Sequence, residues 1–190
     1  MILLYRGKSW TSRLIEWFNW SRYSHASWTF ATSNYESLMG DLTEWEAYTH
    51  GGVEHVKLVG HNHTLGTRVD LYELIKPLNN SDIALGTRFL EDQLGKGYDW
   101  RGVFHFLTRN KKNNPDRWFC SELVFTLLCT MGRSILHRIM GCQVYPGQIA
   151  TSTEIRPVGY IVLGGGFRVH KWDEAALPCG RRRLKHKWDE

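Results

Sequence analysis

The sequence predicts a single α+β domain, because strand-like segments come first, helix-like segments follow, and one more strand-like segment comes late. The chain has 190 residues, of which 42% are hydrophobic and 13% aromatic, a composition typical of a globular protein with a sizeable core. No apolar run approaches the ~20 residues of a membrane-spanning helix. We expect one domain over residues 1–168 and a basic, flexible tail over residues 169–190.

The first half of the chain holds most of the predicted strands. Apolar residues at helical spacing predict a helix over residues 10–20, with Ser9 or Thr11 as candidate N-caps. His50-Gly51-Gly52 predicts a hairpin turn between two alternating segments. Alternation and β-branched or aromatic content predict strands over residues 2–6, 24–32, 43–48, 53–58 and 68–75.

The second half changes to helical periodicity. Ser81 is the candidate N-cap of a helix that continues to Leu94 and ends at Gly95-Lys96-Gly97. The remaining pattern predicts a short helix over 100–107, a polar loop over 110–116, a buried helix over 121–131 and a strand over 159–163.

Charge and cysteine spacing limit the classes of partner and compartment. The net charge is +5, partly from basic residues at 181–183, 185 and 187. Such a tail can make peripheral contact with an anionic membrane or with nucleic acid, although it is more often only a solvated terminus. No nucleic-acid-binding motif supports the second partner. The four cysteines lack Cys-x-x-Cys spacing, which argues against a disulfide framework or zinc ribbon. We expect a cytoplasmic protein whose first residues form a strand and not a signal peptide.

Cys120 is the candidate nucleophile. It lies just before the apolar run 123–128, which predicts a buried helix. A thiol at a helix N-terminus faces unpaired N–H groups and the positive end of the helix dipole, and both favour the thiolate. A thiolate beside a histidine is the smallest set of side chains that nucleophilic acyl chemistry requires.

The base is harder to choose, because the chain has nine histidines. His25 begins a predicted strand, where its side chain can project from a sheet edge. His61 and His63 form a His-x-His pair in a polar loop, but no carboxylate or cysteine stands nearby in the sequence. We therefore expect a solvated loop there, and no metal or other cofactor. The residues alone make His25 plausible and leave the choice open.

Several short motifs follow one another in a characteristic order. They are Ile2–Gly7, Tyr23-Ser24-His25, Trp45-Glu46-Ala47 with Gly51-Gly52-Val53, Gly95–Trp100, Phe119–Val124 and Tyr145–Gln148. Together they resemble the permuted papain-like amidases, which are circularly permuted NlpC-type proteins that include the YiiX-like group. The resemblance covers residues 2 to about 163. The family's Gly-Asp pair before the first strand is missing here.

The resemblance implies a circularly permuted papain-like fold with an antiparallel sheet packed on the cysteine-bearing helix. It implies Cys120 as nucleophile, His25 as general base and acid, and Glu46 as the residue that orients His25. Glu44 is the rival for that third role, because it lies two residues away on the same strand face. We expect one of these two carboxylates to face solvent.

The activity implied is that of a cysteine hydrolase or acyltransferase that attacks an amide or ester through a thioester. The substrate class is a small-molecule, peptide or lipid-like acyl compound. The alternative is a non-catalytic ligand- or lipid-binding module that keeps the fold. We expect the Cys120 N–H to be the first oxyanion donor, with Tyr5 or Tyr23 as candidates for the second, and Glu122 to point away from the thiol.

Overall fold

Seven of the described strands form one antiparallel sheet. The computed structural model describes residues 1–31, 42–58, 63–100, 116–164 and 169–172. The sheet contains β1 (Ile2–Arg6), β2 (His25–Trp28), β3 (Thr43–Tyr48), β4 (Gly52–Lys57), β5 (Arg68–Leu74), β8 (Ile155–Val162) and β9 (His170–Lys171). Its spatial order is β4-β3-β2-β1-β5-β8-β9. Two short strands, β6 (Gly97–Tyr98) and β7 (Arg117–Trp118), pair in parallel apart from this sheet.

The helices complete the predicted α+β class, which is confirmed. They are α1 (Trp10–Phe18), α2 (Asn80–Gln93), α3 (Cys120–Thr130) and the short α4 (Pro146–Ile149). None of the helices in the described ranges is long and apolar enough to cross a membrane. The helix predicted over 100–107 and the polar loop over 110–116 lie almost wholly outside the described residues.

The N-caps of two helices show how local side-chain chemistry sets their starts. Ser9 caps α1, as predicted, because its hydroxyl oxygen accepts a hydrogen bond from the Ser12 N–H at 3.1 Å. The prediction that Ser81 caps α2 is wrong. Asn79 accepts from the Asp82 N–H at 2.8 Å, and the Asp82 carboxylate accepts from the Asn79 N–H at 3.1 Å. This reciprocal capping box starts the helix before Ser81.

The sheet is buried on both faces near its centre. On one face, Leu4, Ala26 and Trp28 pack with apolar side chains of α3. On the other face, Leu3 and Tyr5 pack in a second cluster. Strand alternation explains this division, since neighbouring residues of β1 point to opposite faces. The sheet therefore packs on the helix that begins with Cys120, as expected.

The late part of the sheet differs from the sequence prediction. Strand β8 begins at Ile155, four residues before the predicted start at Gly159. Its Pro157 lies next to a register shift opposite Leu71 and Tyr72 of β5, an irregularity of the kind at which strands tolerate proline. Strand β9 also comes from the segment assigned to the flexible tail, and it pairs His170 with Tyr160. Residues 173–190 lie outside the described part of the chain.

Candidate active site

The imidazole of His25 and the carboxylate of Glu46 form a buried pair. His25 is the first residue of β2, Glu46 lies in the middle of β3, and His25 Nε2 is 2.7 Å from Glu46 Oε2. An ionised carboxylate accepts hydrogen bonds only, so it favours the tautomer with the proton on Nε2. This arrangement leaves Nδ1 as the nitrogen that can accept a proton from a reacting group.

The pKa shifts of His25 and Glu46 determine which of the two groups is charged near neutral pH. Burial lowers the pKa of His25 and outweighs the opposing effect of its hydrogen bond to Glu46. Burial on its own raises the pKa of Glu46, but hydrogen bonds from His25 and His63 hold that pKa well below its usual range. Near neutral pH the pair therefore combines a neutral imidazole with an ionised carboxylate, as a general base and its orienting group require.

Glu44 occupies a separate position on the same strand face. Its carboxylate accepts hydrogen bonds from the hydroxyl groups of Tyr5 and Ser27. The expectation that Glu44 or Glu46 faces solvent is wrong, since both residues are only 1% exposed. The geometry places Glu46, and not Glu44, against the imidazole of His25.

Cys120 begins α3 and is fully buried. The backbone N–H of Ala26, the residue after His25, forms a hydrogen bond that favours the Cys120 thiolate. The helix therefore brings the sulfur to the same end of β2 as His25. Within the described ranges, no hydrogen bond joins the Cys120 sulfur to the His25 ring. Glu122 faces back toward the start of the helix, where its carboxylate accepts from the Phe119 N–H at 3.5 Å.

Burial, and not the helix N-terminus, has the larger effect on the protonation of Cys120. Burial raises the pKa of the Cys120 thiol to about 12, although hydrogen bonds from the backbone N–H groups of Ala26 and Ser121 lower it. Desolvation thus outweighs the helix N-terminus, because the thiolate loses its solvation by water inside the core. Cys120 carries its proton at neutral pH and needs a base to act as a nucleophile.

The two tyrosines considered as second oxyanion donors, Tyr5 and Tyr23, both donate hydrogen bonds to carboxylates. The Tyr5 hydroxyl donates to Glu44, and the Tyr23 hydroxyl donates to Asp70 at 2.7 Å. Both hydroxyl protons are therefore engaged with carboxylates in this structure. The Ala26 N–H, which already faces the sulfur, is a donor that sequence reasoning missed. No sequence signal could have revealed it, because every residue except proline has this group.

His63 also belongs to the site, and sequence reasoning missed it. Its Nε2 lies 3.2 Å from Glu46 Oε2, and its ring stacks on Tyr5 with centroids 4.2 Å apart. The expected solvated loop without a carboxylate is therefore wrong for His63, whereas His61 lies outside the described residues. The ligand atoms of His25, Glu46 and His63 lie within 4.8 Å of one another, so these three could hold a transition-metal ion. The His-x-His motif was the available signal.

A cleft opens beside this group of side chains. The Cys120 sulfur is covered and does not line it, whereas Tyr98 does and also lies close to Cys120. The cleft walls include Tyr5, Lys8, Ser12, Ile15, His25, Tyr48, His63, Tyr98 and Trp100. The cleft therefore reaches the imidazole of His25 but not the covered sulfur of Cys120.

Comparison with known proteins finds no matching family model and no significantly similar curated sequence. The class of this protein is therefore defined by its own fold and site, without a relative. It is an α+β protein with a buried His–Glu pair beside a cysteine that begins a core helix.

The buried carboxyl of Glu44 predicts an unusual pH dependence of stability. Burial, with a further contribution from Glu46, raises the pKa of Glu44 from 4.5 to about 7. Between these values the folded state keeps a proton that the unfolded state has lost, so stability falls as pH rises through the window. We expect Glu44→Gln to remove this contribution and to gain about 2 kcal/mol relative to the wild type between pH 5 and pH 8.

The measurement is urea unfolding of both proteins at pH 5 and pH 8. At each pH, the difference in unfolding free energy between the two proteins is calculated. The change in this difference from pH 5 to pH 8 cancels the pH-independent effect of the substitution and the titration of other groups, such as His25. An identical difference at the two pH values contradicts the raised pKa of Glu44.

Proposed function

We propose that this chain is a cysteine hydrolase or acyltransferase with a permuted papain-like fold, acting on an amide or ester through a thioester on Cys120. The observation that carries the proposal is the buried pair of His25 and Glu46, 2.7 Å apart, next to the start of the cysteine-bearing helix. A nucleophile, a base and a group that orients the base are the parts that acyl transfer requires.

The proposed first step joins proton transfer to nucleophilic attack. Because the resting thiol is protonated, His25 Nδ1 accepts its proton while the sulfur attacks the acyl carbon. Ionised Glu46 stabilises the imidazolium that forms. The backbone N–H groups of Cys120 and Ala26 are the candidate donors to the oxyanion of the tetrahedral intermediate.

The following steps release both products and restore the site. The imidazolium of His25 gives its proton to the leaving amine or alcohol as the acyl–nitrogen or acyl–oxygen bond breaks, which leaves a thioester on Cys120. Water or an acceptor hydroxyl or amine then attacks the thioester and loses a proton to His25. Collapse of the second intermediate expels the sulfur, which recovers that proton. The cycle also needs an opening at the covered sulfur, beside Tyr98.

A simple assay with an activated ester tests this proposal. We expect the full chain to release p-nitrophenol from p-nitrophenyl butyrate faster than buffer alone, and His25→Asn to slow that release by about a hundredfold or more. His55→Asn is the matched control, because His55 is exposed on β4 and stacks on Trp45 away from the cleft. A His25→Asn protein that is folded and keeps the wild-type rate contradicts the proposal.

A metal-dependent hydrolase is the second candidate function, and the cluster of His25, Glu46 and His63 favours it. Two histidines and a carboxylate also form the protein ligands of some catalytic zinc sites. The cysteine reaction predicts that dialysis against EDTA leaves ester turnover unchanged. Loss of turnover after EDTA, its recovery with Zn²⁺ and full activity of Cys120→Ser together assign the reaction to a metal.

A further inference from the structure

The N-terminal helix carries an exposed aromatic face that neither the core nor the candidate site uses. Trp10 and Trp17 on α1 are 77% and 69% exposed, and Trp20, just after the helix, is 94% exposed. Trp10 and Trp17 lie seven residues apart, which places them on the same side of the helix. Clusters of exposed, large apolar side chains are typical of surfaces that bind a protein, a ligand or a membrane.

The orientation of this face is fixed by the rest of the helix. Ile15 is buried and Leu14 and Phe18 are half-buried, so the apolar side of α1 that packs on the domain is already occupied. Trp20 has a φ of 47°, in the left-handed region where glycine or asparagine is usual. The helix thus has an inner apolar face that packs on the domain, and the exposed tryptophans form a separate outer face.

Cations surround the exposed tryptophans. Lys8, Arg13 and Arg22 are all exposed, and none forms an ion pair with another described residue. Glu16 is the single acidic residue between positions 6 and 22, and it is half-buried, with a carboxyl pKa that burial raises. The face is thus aromatic and positively charged, complementary to a surface with an apolar interior and anionic head groups.

We propose that the face formed by Trp10, Trp17 and Trp20, with Lys8, Arg13 and Arg22, docks on an anionic lipid surface. The indole ring favours the interface between acyl chains and head groups, because its body is apolar and its N–H is polar. Lysine and arginine beside it contact lipid phosphates. Nucleic acid fits this face less well, because the tryptophans project from the outside of a helix instead of lining a groove.

Docking brings the candidate active-site cleft to the lipid. Lys8, Ser12 and Ile15 of the same segment line that cleft together with His25. A substrate with an acyl chain in the lipid layer then reaches the cleft without crossing water. This link rests on the proposed function, whereas the docking itself does not.

The test measures sedimentation of the full chain with vesicles of phosphatidylcholine, alone or mixed with phosphatidylglycerol. We expect binding to the mixed vesicles with a blue shift of tryptophan fluorescence. Combining Trp10→Ser, Trp17→Ser and Trp20→Ser should weaken that binding by about tenfold or more. Leu85→Ser is the matched control, because Leu85 is 53% exposed on α2 and lies outside the face.

Two outcomes overturn the proposal. In the first, the wild type fails to bind the mixed vesicles; loss of single-stranded DNA binding in the triple variant would then assign the face to nucleic acid. In the second, the triple variant, folded by circular dichroism, binds the vesicles as the wild type does. Substituting Arg181, Arg182 and Arg183 with alanine in the full chain separates the contribution of the basic tail. Vesicle binding without any ester turnover contradicts the proposed function and leaves the docking face standing.

Discussion

Replacing Cys120 with serine is expected to reduce ester turnover by about a thousandfold or more, because a serine hydroxyl is a far weaker nucleophile beside a neutral imidazole base. The side chain is fully buried, and serine changes only one atom of it. The fold should therefore survive, as circular dichroism and urea unfolding can show. The measurement is the rate of p-nitrophenol release from p-nitrophenyl butyrate.

Cys129→Ser is the matched control for this loss. Cys129 lies on the same helix, but it is exposed and nine residues from Cys120. We expect this variant to turn over the ester at the wild-type rate. Full turnover in Cys120→Ser contradicts a role of this thiol as the nucleophile, and equal losses in the two variants contradict an effect specific to position 120.

Glu46→Gln is expected to lower turnover by about a hundredfold to ten-thousandfold with little effect on the fold. The ionised Glu46 holds the proton of His25 on Nε2, which leaves Nδ1 free to accept one. A glutamine can turn its amide N–H toward Nε2 and place the ring proton on Nδ1. That tautomer cannot take the thiol proton, and the imidazolium also loses its stabilising charge.

Glu44→Gln provides a closely matched comparison, since the two carboxyls lie on the same strand face and are equally buried. Glu44 contacts Tyr5 and Ser27, so we expect its substitution to change pH-dependent stability much more than turnover. The pair of variants also separates the two candidates that the sequence left open. A larger loss of turnover in Glu44→Gln than in Glu46→Gln contradicts the assigned roles.

The sequence was most informative where a local rule decides the structure. Strands β1 and β3 have the predicted bounds, because a short apolar run marks β1 and alternation marks β3. The hairpin between β3 and β4 pairs Tyr48 with Gly52. The buried helix was predicted to within one residue, since an apolar run that ends at a glycine is a strong signal. The N-cap of α2 was missed by two residues because Asn79 and Ser81 are both good caps.

The properties of the candidate site depend on tertiary distances, which the sequence does not contain. Glu44 and Glu46 have the same chemistry and face, and only the packing of β2 against β3 decides which one meets His25. The helix N-terminus correctly suggested hydrogen bonds to the Cys120 sulfur, but the depth of burial reverses the direction of its pKa shift. His63 contacts Glu46 from 17 positions further along the chain, a contact that the sequence does not specify.

Mass spectrometry of an acid-quenched reaction with p-nitrophenyl butyrate tests the central claim most directly. We expect one butyryl group on the peptide that contains Cys120, removed by hydroxylamine as a thioester is, with much less adduct in Glu46→Gln. A butyryl group on another residue, or ester turnover without any adduct on Cys120 under conditions that trap the intermediate, would contradict the assignment of Cys120 as the nucleophile.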